Sequence, residues 1–165
     1  MTGDRLSAVL ARLVGAQRVL MVEPDAVSSV VHAAGAIGPH GSVVVLAGAG
    51  TAPALQDGVE TAGVGDRVQI IEGEPVGSLP HLRTDDDTTF EVVVVGVTHA
   101  SPADAVQYLE WALVLGRCGT ALVVTSTGVA EAWSAADELL RMHPRIEATS
   151  WSNGDALVAV AVIGD

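Results

Sequence analysis

Glu23, Asp25 and His99 are the residues whose types and positions could support chemistry. Glu23 and Asp25 follow the apolar segment 18–22, and His99 follows the apolar segment 91–95. A carboxylate beside an imidazole can carry out general acid–base catalysis near neutral pH. If both segments are parallel strands, their carboxyl ends meet at the sheet edge where open α/β sheets bind ligands. His99 is therefore a candidate catalytic residue, and a cleft with these carboxylates would suit a cationic or amine ligand.

The elements that must position these residues follow from hydrophobic periodicity. Short β-branched runs predict strands, and Ala- and Leu-rich stretches with a 3.6-residue period predict helices. The predicted strands span residues 18–22, 42–46, 67–71, 91–95, 121–125, 145–151 and 156–163. The predicted helices span residues 4–15, 25–36, 52–62, 102–115 and 129–142, with at best a short helix in 75–82.

This alternation predicts an α/β fold, a doubly wound seven-stranded and mostly parallel sheet that ends in an antiparallel β-hairpin. Residues 1–165 form one domain, with a leading helix in 1–16, core βα units in 17–128, and the last helix and hairpin in 129–165. Asp25 is a predicted N-cap of the second helix. Asn153-Gly154 predicts the tight turn of the hairpin.

Five short phrases, in order, resemble the class I S-adenosylmethionine-dependent methyltransferases, and among them the bacterial caffeoyl-CoA-type O-methyltransferases. The phrases are Arg18-Val19-Leu20, Gly-Val-Gly-Asp-Arg-Val at 63–68, Phe-Glu-Val-Val at 90–93, Tyr-Leu-Glu-Trp-Ala-Leu at 108–113, and Asn-Gly-Asp-Ala-Leu at 153–157. The resemblance covers essentially the whole chain and implies a Rossmann-like, S-adenosylmethionine-binding fold.

The resemblance also implies a glycine-rich turn, E-x-G-x-G-x-G, that approaches the methyl donor after the first strand. Here Glu23, Asp25 and Val27 replace the three glycines, and Pro24 removes a backbone N–H donor. Two carboxylates at this turn would repel the carboxylate of the donor. The sequence therefore predicts a degenerate donor cleft.

The other positions that the family uses for ligands also differ. The resemblance implies a ribose-binding acid after the second strand, where Ala47-Gly48-Ala49 stands, and it leaves Glu74 as a remnant near the adenine. Metal-binding acids are replaced by Gly96-Val97-Thr98-His99 and by Thr125-Ser126-Thr127, so no metal is expected. The degenerate cleft thus comprises Glu23, Asp25, Ala47, Gly48, Glu74 and Gly96.

These departures favour an O-methyltransferase-like protein that is catalytically inactive, needs no cofactor, and acts by association as a homodimer or with an active relative. Two alternatives stay open. The chain could be a diverged O-methyltransferase that takes S-adenosylmethionine, or a protein that binds or transforms another small molecule in the repurposed cleft.

Composition excludes several other classes. The net charge of -12, with eight Arg and no Lys, excludes a nucleic-acid partner, because binding a polyanion depends on cationic side chains that meet phosphates. No apolar run approaches the length of a membrane span, and the N-terminus lacks a secretion signal, so we expect a cytoplasmic protein. The single cysteine, Cys118, excludes an internal disulfide and is expected to be buried. Asp85, Asp86 and Asp87 are interpreted as a solvated turn.

Overall fold

A computed structural model describes residues 3–83, 89–128, 131–153 and 156–165. The seven strands are β1 (Arg18–Val22), β2 (Ser42–Ala47), β3 (Val68–Glu72), β4 (Phe90–Gly96), β5 (Gly116–Thr127), β6 (Ile146–Asn153) and β7 (Ala156–Ile163). The α-helices are α1 (Gly3–Leu13), α2 (Val27–Ala36), α3 (Ala52–Thr61), α4 (Pro75–Ser78), α5 (Pro102–Leu115) and α6 (Glu131–Met142). Short 3-10 helices span Gly65–Arg67 and Leu79–Leu82.

The strands form one sheet in the order β3-β2-β1-β4-β5-β7-β6. Strands β1 to β5 are mutually parallel, and β7 runs antiparallel to both β5 and β6. The predicted α/β fold, with its mostly parallel sheet and terminal antiparallel hairpin, is confirmed.

The central strands are apolar on both faces because helices cover both sides of the sheet. Leu20 and Val22 of β1 belong to the core cluster beneath α5 and α6, whereas Val19 and Met21 belong to the cluster beneath α1, α2 and α3. The exposed fraction of all four side chains is at most 1%. This two-sided burial fixes the register, so the carboxyl ends of β1, β2, β3 and β4 lie together at one edge.

Strand β5 begins earlier than predicted. The sequence predicts a turn over Gly116–Gly119, yet β5 starts at Gly116 and accommodates a positive φ of 89° at Gly119. The Thr120 hydroxyl stabilises this segment, because it accepts the backbone N–H of Arg117 at 2.9 Å and donates to the Phe90 carbonyl at 2.7 Å. Cys118 lies on this stretch and is exposed, so the prediction of a buried cysteine is wrong.

Two sequence predictions lie outside the described residues: the acidic turn at 85–87 and the hairpin turn residues 154 and 155. The strands that flank the hairpin are in place, with Asn153 opposite Ala156. Among the helices of the described ranges, none combines the length and apolarity that crossing a bilayer requires.

Candidate functional site

Glu23 is the first residue of the loop between β1 and α2, and its backbone is unusual. Its φ is 47°, the only positive φ of a non-glycine residue in the described part of the chain. Side chains other than glycine pay about 1–2 kcal/mol in this left-handed region. The carboxylate Oε1 accepts the N–H of Gly48 at 3.1 Å, which ties the end of β1 to the end of β2. The loop thus keeps a glycine-like conformation with a carboxylate attached.

Asp25 is held by hydroxyl groups from two other strand ends. Its Oδ1 accepts from the Thr98 hydroxyl and its Oδ2 from the Thr125 hydroxyl, both at 2.6 Å. Thr98 Oγ1 in turn accepts the backbone N–H of Thr127 at 3.0 Å. The residue preceding α2 is Ala26, and no side chain caps that helix. The prediction of Asp25 as an N-cap is therefore wrong, because neighbouring strand ends compete for its carboxylate.

Close packing fixes the rest of the loop. A Cβ on Gly96, the last residue of β4, would collide with the carbonyl oxygen of Glu23. A Cβ on Gly58 of α3 would collide with Cγ1 of Val27. Each residue that replaces a predicted glycine in this loop therefore has its own partner elsewhere in the fold.

A cavity of about 530 Å³ opens beside this loop at the carboxyl edge of the sheet. Its walls come from the residues that follow β1, β2, β3 and β4, from the start of α4 and from the first two turns of α5. The lining residues are Glu23, Gly48, Ala49, Gly73, Glu74, Pro75, Val76, His99, Ala100, Asp104 and Tyr108. Its position and size are those of a small-molecule site in an open α/β sheet.

Negative charge dominates this cavity. Burial raises the pKa of Glu23 above 4.5, and the Gly48 N–H and the charge of His99 oppose that rise. Burial also raises the pKa of Tyr108 to about 12, with further contributions from Asp104, Glu23 and Glu74. Three carboxylates from different elements thus act on one phenol.

The structure brings together four of the seven predicted site residues. Glu23, Gly48, Glu74 and His99 line the cavity. The other three do not: Asp25 faces the threonines, Ala47 is fully buried within β2, and Gly96 packs under the loop. Their roles in binding or catalysis stay predictions.

Sequence reasoning missed Asp104 and Tyr108 as members of the cavity. The two residues are four positions apart on α5, so they share one helix face. Tyr108 is only 5% exposed, as a core residue would be, yet it also reaches the cavity wall. The sequence signal that could have identified them is Ser101, which marks the start of α5 at the sheet edge. Its hydroxyl caps this helix by accepting the backbone N–H of Asp104 at 3.1 Å.

No cluster of three or more His, Cys, Asp or Glu side chains suited to hold a metal ion occurs within the described residues. Serine and threonine hydroxyls occupy the ends of β4 and β5. The only carboxylate bonded there among these residues, that of Asp25, is already engaged by two of those hydroxyls.

The chain is similar to known O-methyltransferases. It is 28% identical over 155 residues to the catechol O-methyltransferase of Mycobacterium tuberculosis strain H37Rv, a match that covers 86% of this chain and 68% of that protein. The cofactor-bound structure of Rv0187 from the same species is 25% identical with a TM-score of 0.82, covering 99% of this chain and 81% of that one. No protein-family profile matches the chain.

A third match agrees in fold. The O-methyltransferase TomG of Streptomyces achromogenes, solved in complex with S-adenosylmethionine, is 24% identical with a TM-score of 0.84, covering 98% of this chain and 79% of that one. The resemblance to class I O-methyltransferases and their Rossmann-like fold is confirmed.

The comparison contradicts our expectation that the chain takes no cofactor, because the structural neighbours TomG and Rv0187 were solved with S-adenosylmethionine and with a cofactor, respectively. The physical reason lies in two premises. The sequence suggested that Glu23 and Asp25 would both confront the donor, whereas the carboxylate of Asp25 bonds to Thr98 and Thr125 instead. In addition, the donor carries a sulfonium and an amine besides its carboxylate, so its net charge is positive and repulsion of the carboxylate is not its whole electrostatic interaction with the cleft.

Proposed function

We propose that the chain is an O-methyltransferase-like protein that binds S-adenosylmethionine at the carboxyl edge of its sheet and has lost metal-dependent methyl transfer. The observation that supports donor binding is the cavity of about 530 Å³, which is surrounded by the ends of four parallel strands. Glycine replacement in the loop did not fill this space, since Asp25 and Val27 make contacts elsewhere.

The lining residues fit the groups of such a ligand. Glu23 and Glu74 offer carboxylate oxygens to amine or hydroxyl donors, and Tyr108 offers an aromatic wall. When bound, the donor supplies an electrophilic methyl group on its sulfonium. The residues that line the cavity would hold the donor in place and limit the access of water to this methyl group.

The proposed loss of metal-dependent methyl transfer rests on the residue types at the ends of β4 and β5. A hard divalent cation prefers carboxylate oxygens. Thr98 and Thr125 stand at these strand ends, and their hydroxyls satisfy the nearby carboxylate of Asp25. We infer that this hydrogen-bonded group replaces a metal site and that methyl transfer to a metal-chelating acceptor is lost.

Calorimetric titration with S-adenosylmethionine tests donor binding. We expect saturable binding to the natural chain and its loss in Ala49→Trp, which fills the cavity. Ala62→Trp places the same bulk on an exposed position at the end of α3 and should bind normally. If the natural chain shows no heat of binding and no shift of its unfolding temperature with the donor, the proposal fails.

A methyl-transfer assay tests the loss of metal-dependent chemistry. Catechol is the acceptor to use, because the curated relative is a catechol O-methyltransferase. We expect no product above the rate without protein, with or without Mg²⁺. Turnover that Mg²⁺ stimulates and a chelator abolishes would contradict this half of the proposal and leave donor binding intact.

A second candidate function is methyl transfer without a metal, and the placement of His99 favours it. His99 is exposed at the cavity mouth, where its imidazole could accept a proton from an acceptor hydroxyl. In that case turnover persists in the presence of a chelator, and His99→Ala abolishes it while donor affinity stays unchanged. Loss of donor affinity in the same variant would assign His99 to binding instead.

Association with a second copy remains a proposal as well. Helix α1 and the residue that follows it leave an apolar strip exposed, with Leu13 at 76%, Val9 at 44% and Val14 at 43%. Exposed apolar strips of this kind are typical of protein interfaces. Light scattering should give the mass of a dimer for the natural chain and that of a monomer for Leu13→Glu. A monomer at every concentration would end the proposal of a homodimer.

A further inference from the structure

The cavity is unusual in the sign of its charge. Its lining includes three carboxylates, Glu23, Glu74 and Asp104, and one imidazole, His99. Among the described residues that line it, none is Lys or Arg, and the whole chain contains no Lys. A concave site with one sign of charge and low-dielectric walls focuses the field and concentrates ligands of the opposite sign.

The three carboxylates reach the cavity from different elements, so they surround it. Glu23 directly follows β1, Glu74 immediately precedes α4, and Asp104 lies in the first turn of α5. All three raise the pKa of the same phenol, that of Tyr108, although burial is the largest contribution. Their fields therefore overlap inside the cavity.

We propose that this cavity distinguishes the two charge states of the methyl donor, binding S-adenosylmethionine in preference to S-adenosylhomocysteine. This inference rests on the proposed function. The two molecules differ by one methyl group and by the positive charge of the sulfonium, so the first carries a net charge of +1 and the second a net charge of zero near pH 7. The carboxylates of the lining favour the cation, and the neutral thioether gains nothing from them.

A preference of this kind has a functional consequence. The demethylated product leaves more readily than the donor, so the cavity refills with donor even when product accumulates. In a chain that does not transfer methyl groups, the same preference makes occupancy follow the donor concentration rather than the sum of both nucleosides.

Calorimetric titrations with both nucleosides at low ionic strength and pH 7.5 measure the preference directly. We expect S-adenosylmethionine to bind about tenfold more tightly, the scale of one partly screened charge interaction. Raising the salt concentration should reduce this ratio. Sinefungin, which carries an amine where the sulfonium methyl stands, should bind as S-adenosylmethionine does.

Substitution of the carboxylates tests their role. The double variant Glu74→Gln, Asp104→Asn should weaken S-adenosylmethionine binding about tenfold more than it weakens S-adenosylhomocysteine binding, because the amine and hydroxyl groups are common to both nucleosides and only the sulfonium charge differs. Asp57→Asn removes one exposed carboxylate from α3, outside the cavity lining, and is the matched control. Circular dichroism checks folding, and Glu74→Gln alone, at an exposed position, replaces the double variant if that variant unfolds.

The outcomes separate this inference from the proposed function. Equal affinity for both nucleosides, or tighter binding of S-adenosylhomocysteine, overturns the charge preference while donor binding stands. A preference that survives the double variant overturns the assignment to Glu74 and Asp104. Binding of neither nucleoside overturns the proposed function itself.

Discussion

At the scale of single residues, Glu23 combines a left-handed backbone conformation, which is typical of glycine, with a charged side chain. The left-handed backbone favours glycine, and the resemblance places a glycine here. The hydrogen bond from Gly48 to its carboxylate offsets part of the strain and part of the desolvation. A residue held in this way is well placed to act on a ligand, because its side chain is already oriented.

Replacement of Glu23 by Gln should change how stability depends on pH. The folded-state pKa of Glu23 is raised above 4.5, so its ionised form destabilises the fold above that pKa, and this penalty disappears as the pH falls toward 4.5. Gln removes the charge and keeps an oxygen that accepts the Gly48 N–H. We expect the stability that Glu23→Gln gains over the natural chain to grow as the pH rises above 4.5 and to level off above the folded-state pKa of Glu23.

Urea unfolding at several pH values measures this difference. Glu110→Gln, at an exposed position of α5, controls for the loss of one negative charge from an acidic protein. A stability difference between Glu23→Gln and the natural chain that does not grow with pH would refute the argument.

Tyr108 offers a second residue-scale prediction, because it is the single tyrosine of the chain. Its pKa is raised to about 12, chiefly by burial. In the unfolded chain the phenol should have a pKa of about 10. Because it then ionises more readily in the unfolded chain than in the folded protein, the free energy of unfolding falls as the pH rises above that value. Ultraviolet absorbance of the phenolate follows the titration in the folded protein and in denaturant. Identical titration curves in the two states would show that Tyr108 is not buried beside the cavity.

At the scale of elements, the contact between β4 and the β1–α2 loop determines the shape of the site. Gly96→Ala should destabilise the fold by about 1–3 kcal/mol, because the added Cβ would collide with the Glu23 carbonyl and backbone cannot move aside cheaply. Gly35→Ala on α2 is the control: its added Cβ meets nothing within 4 Å, and it should stabilise the helix by about 1 kcal/mol. Urea unfolding of both variants checks the contrast, and a Gly96→Ala variant as stable as the natural chain would contradict it.

The sequence predicted the elements best where local signals agree. Strand β1, helix α5 and strand β7 have the predicted bounds, because apolar runs end at clear signals such as Ser101-Pro102. Strand β5 was predicted too short, since Gly116 and Gly119 indicate a turn unless a long-range bond such as that from Thr120 to Phe90 is known. Local patterns contain no information on such pairings.

The same limit explains which part of the candidate site was predicted. Glu23, Gly48, Glu74 and His99 follow strands directly, so parallel topology alone brings them to one edge. Asp25 also follows a strand, but its direction depends on Thr98 and Thr125, which are 73 and 100 positions away. The net effect of replacing loop glycines depends on these contacts, and for that reason the expectation of a cofactor-free chain was wrong.

At the scale of the whole molecule, excess negative charge should oppose folding. The net charge is -12, and the ion pairs in the described residues include Arg117–Glu91 at 3.8 Å and Arg141–Asp137 at 2.8 Å. Their exposed arginines contribute little. Self-repulsion among the remaining carboxylates destabilises the compact state, as in other proteins far from neutrality.

Salt should therefore stabilise this protein. Raising NaCl from about 0.01 M to 0.15 M shortens the screening length from about 30 Å to about 8 Å, which weakens repulsion across the whole molecule. We expect the midpoint of thermal unfolding at pH 7.5 to rise over this range, and the rise to shrink as the pH approaches the isoelectric point near 4.5. Differential scanning calorimetry at the two pH values measures both effects. A midpoint that falls with added salt at pH 7.5 would mean that attractive pairs outweigh repulsion, and the charge excess inside the cavity would then be a local property rather than part of a molecule-wide field.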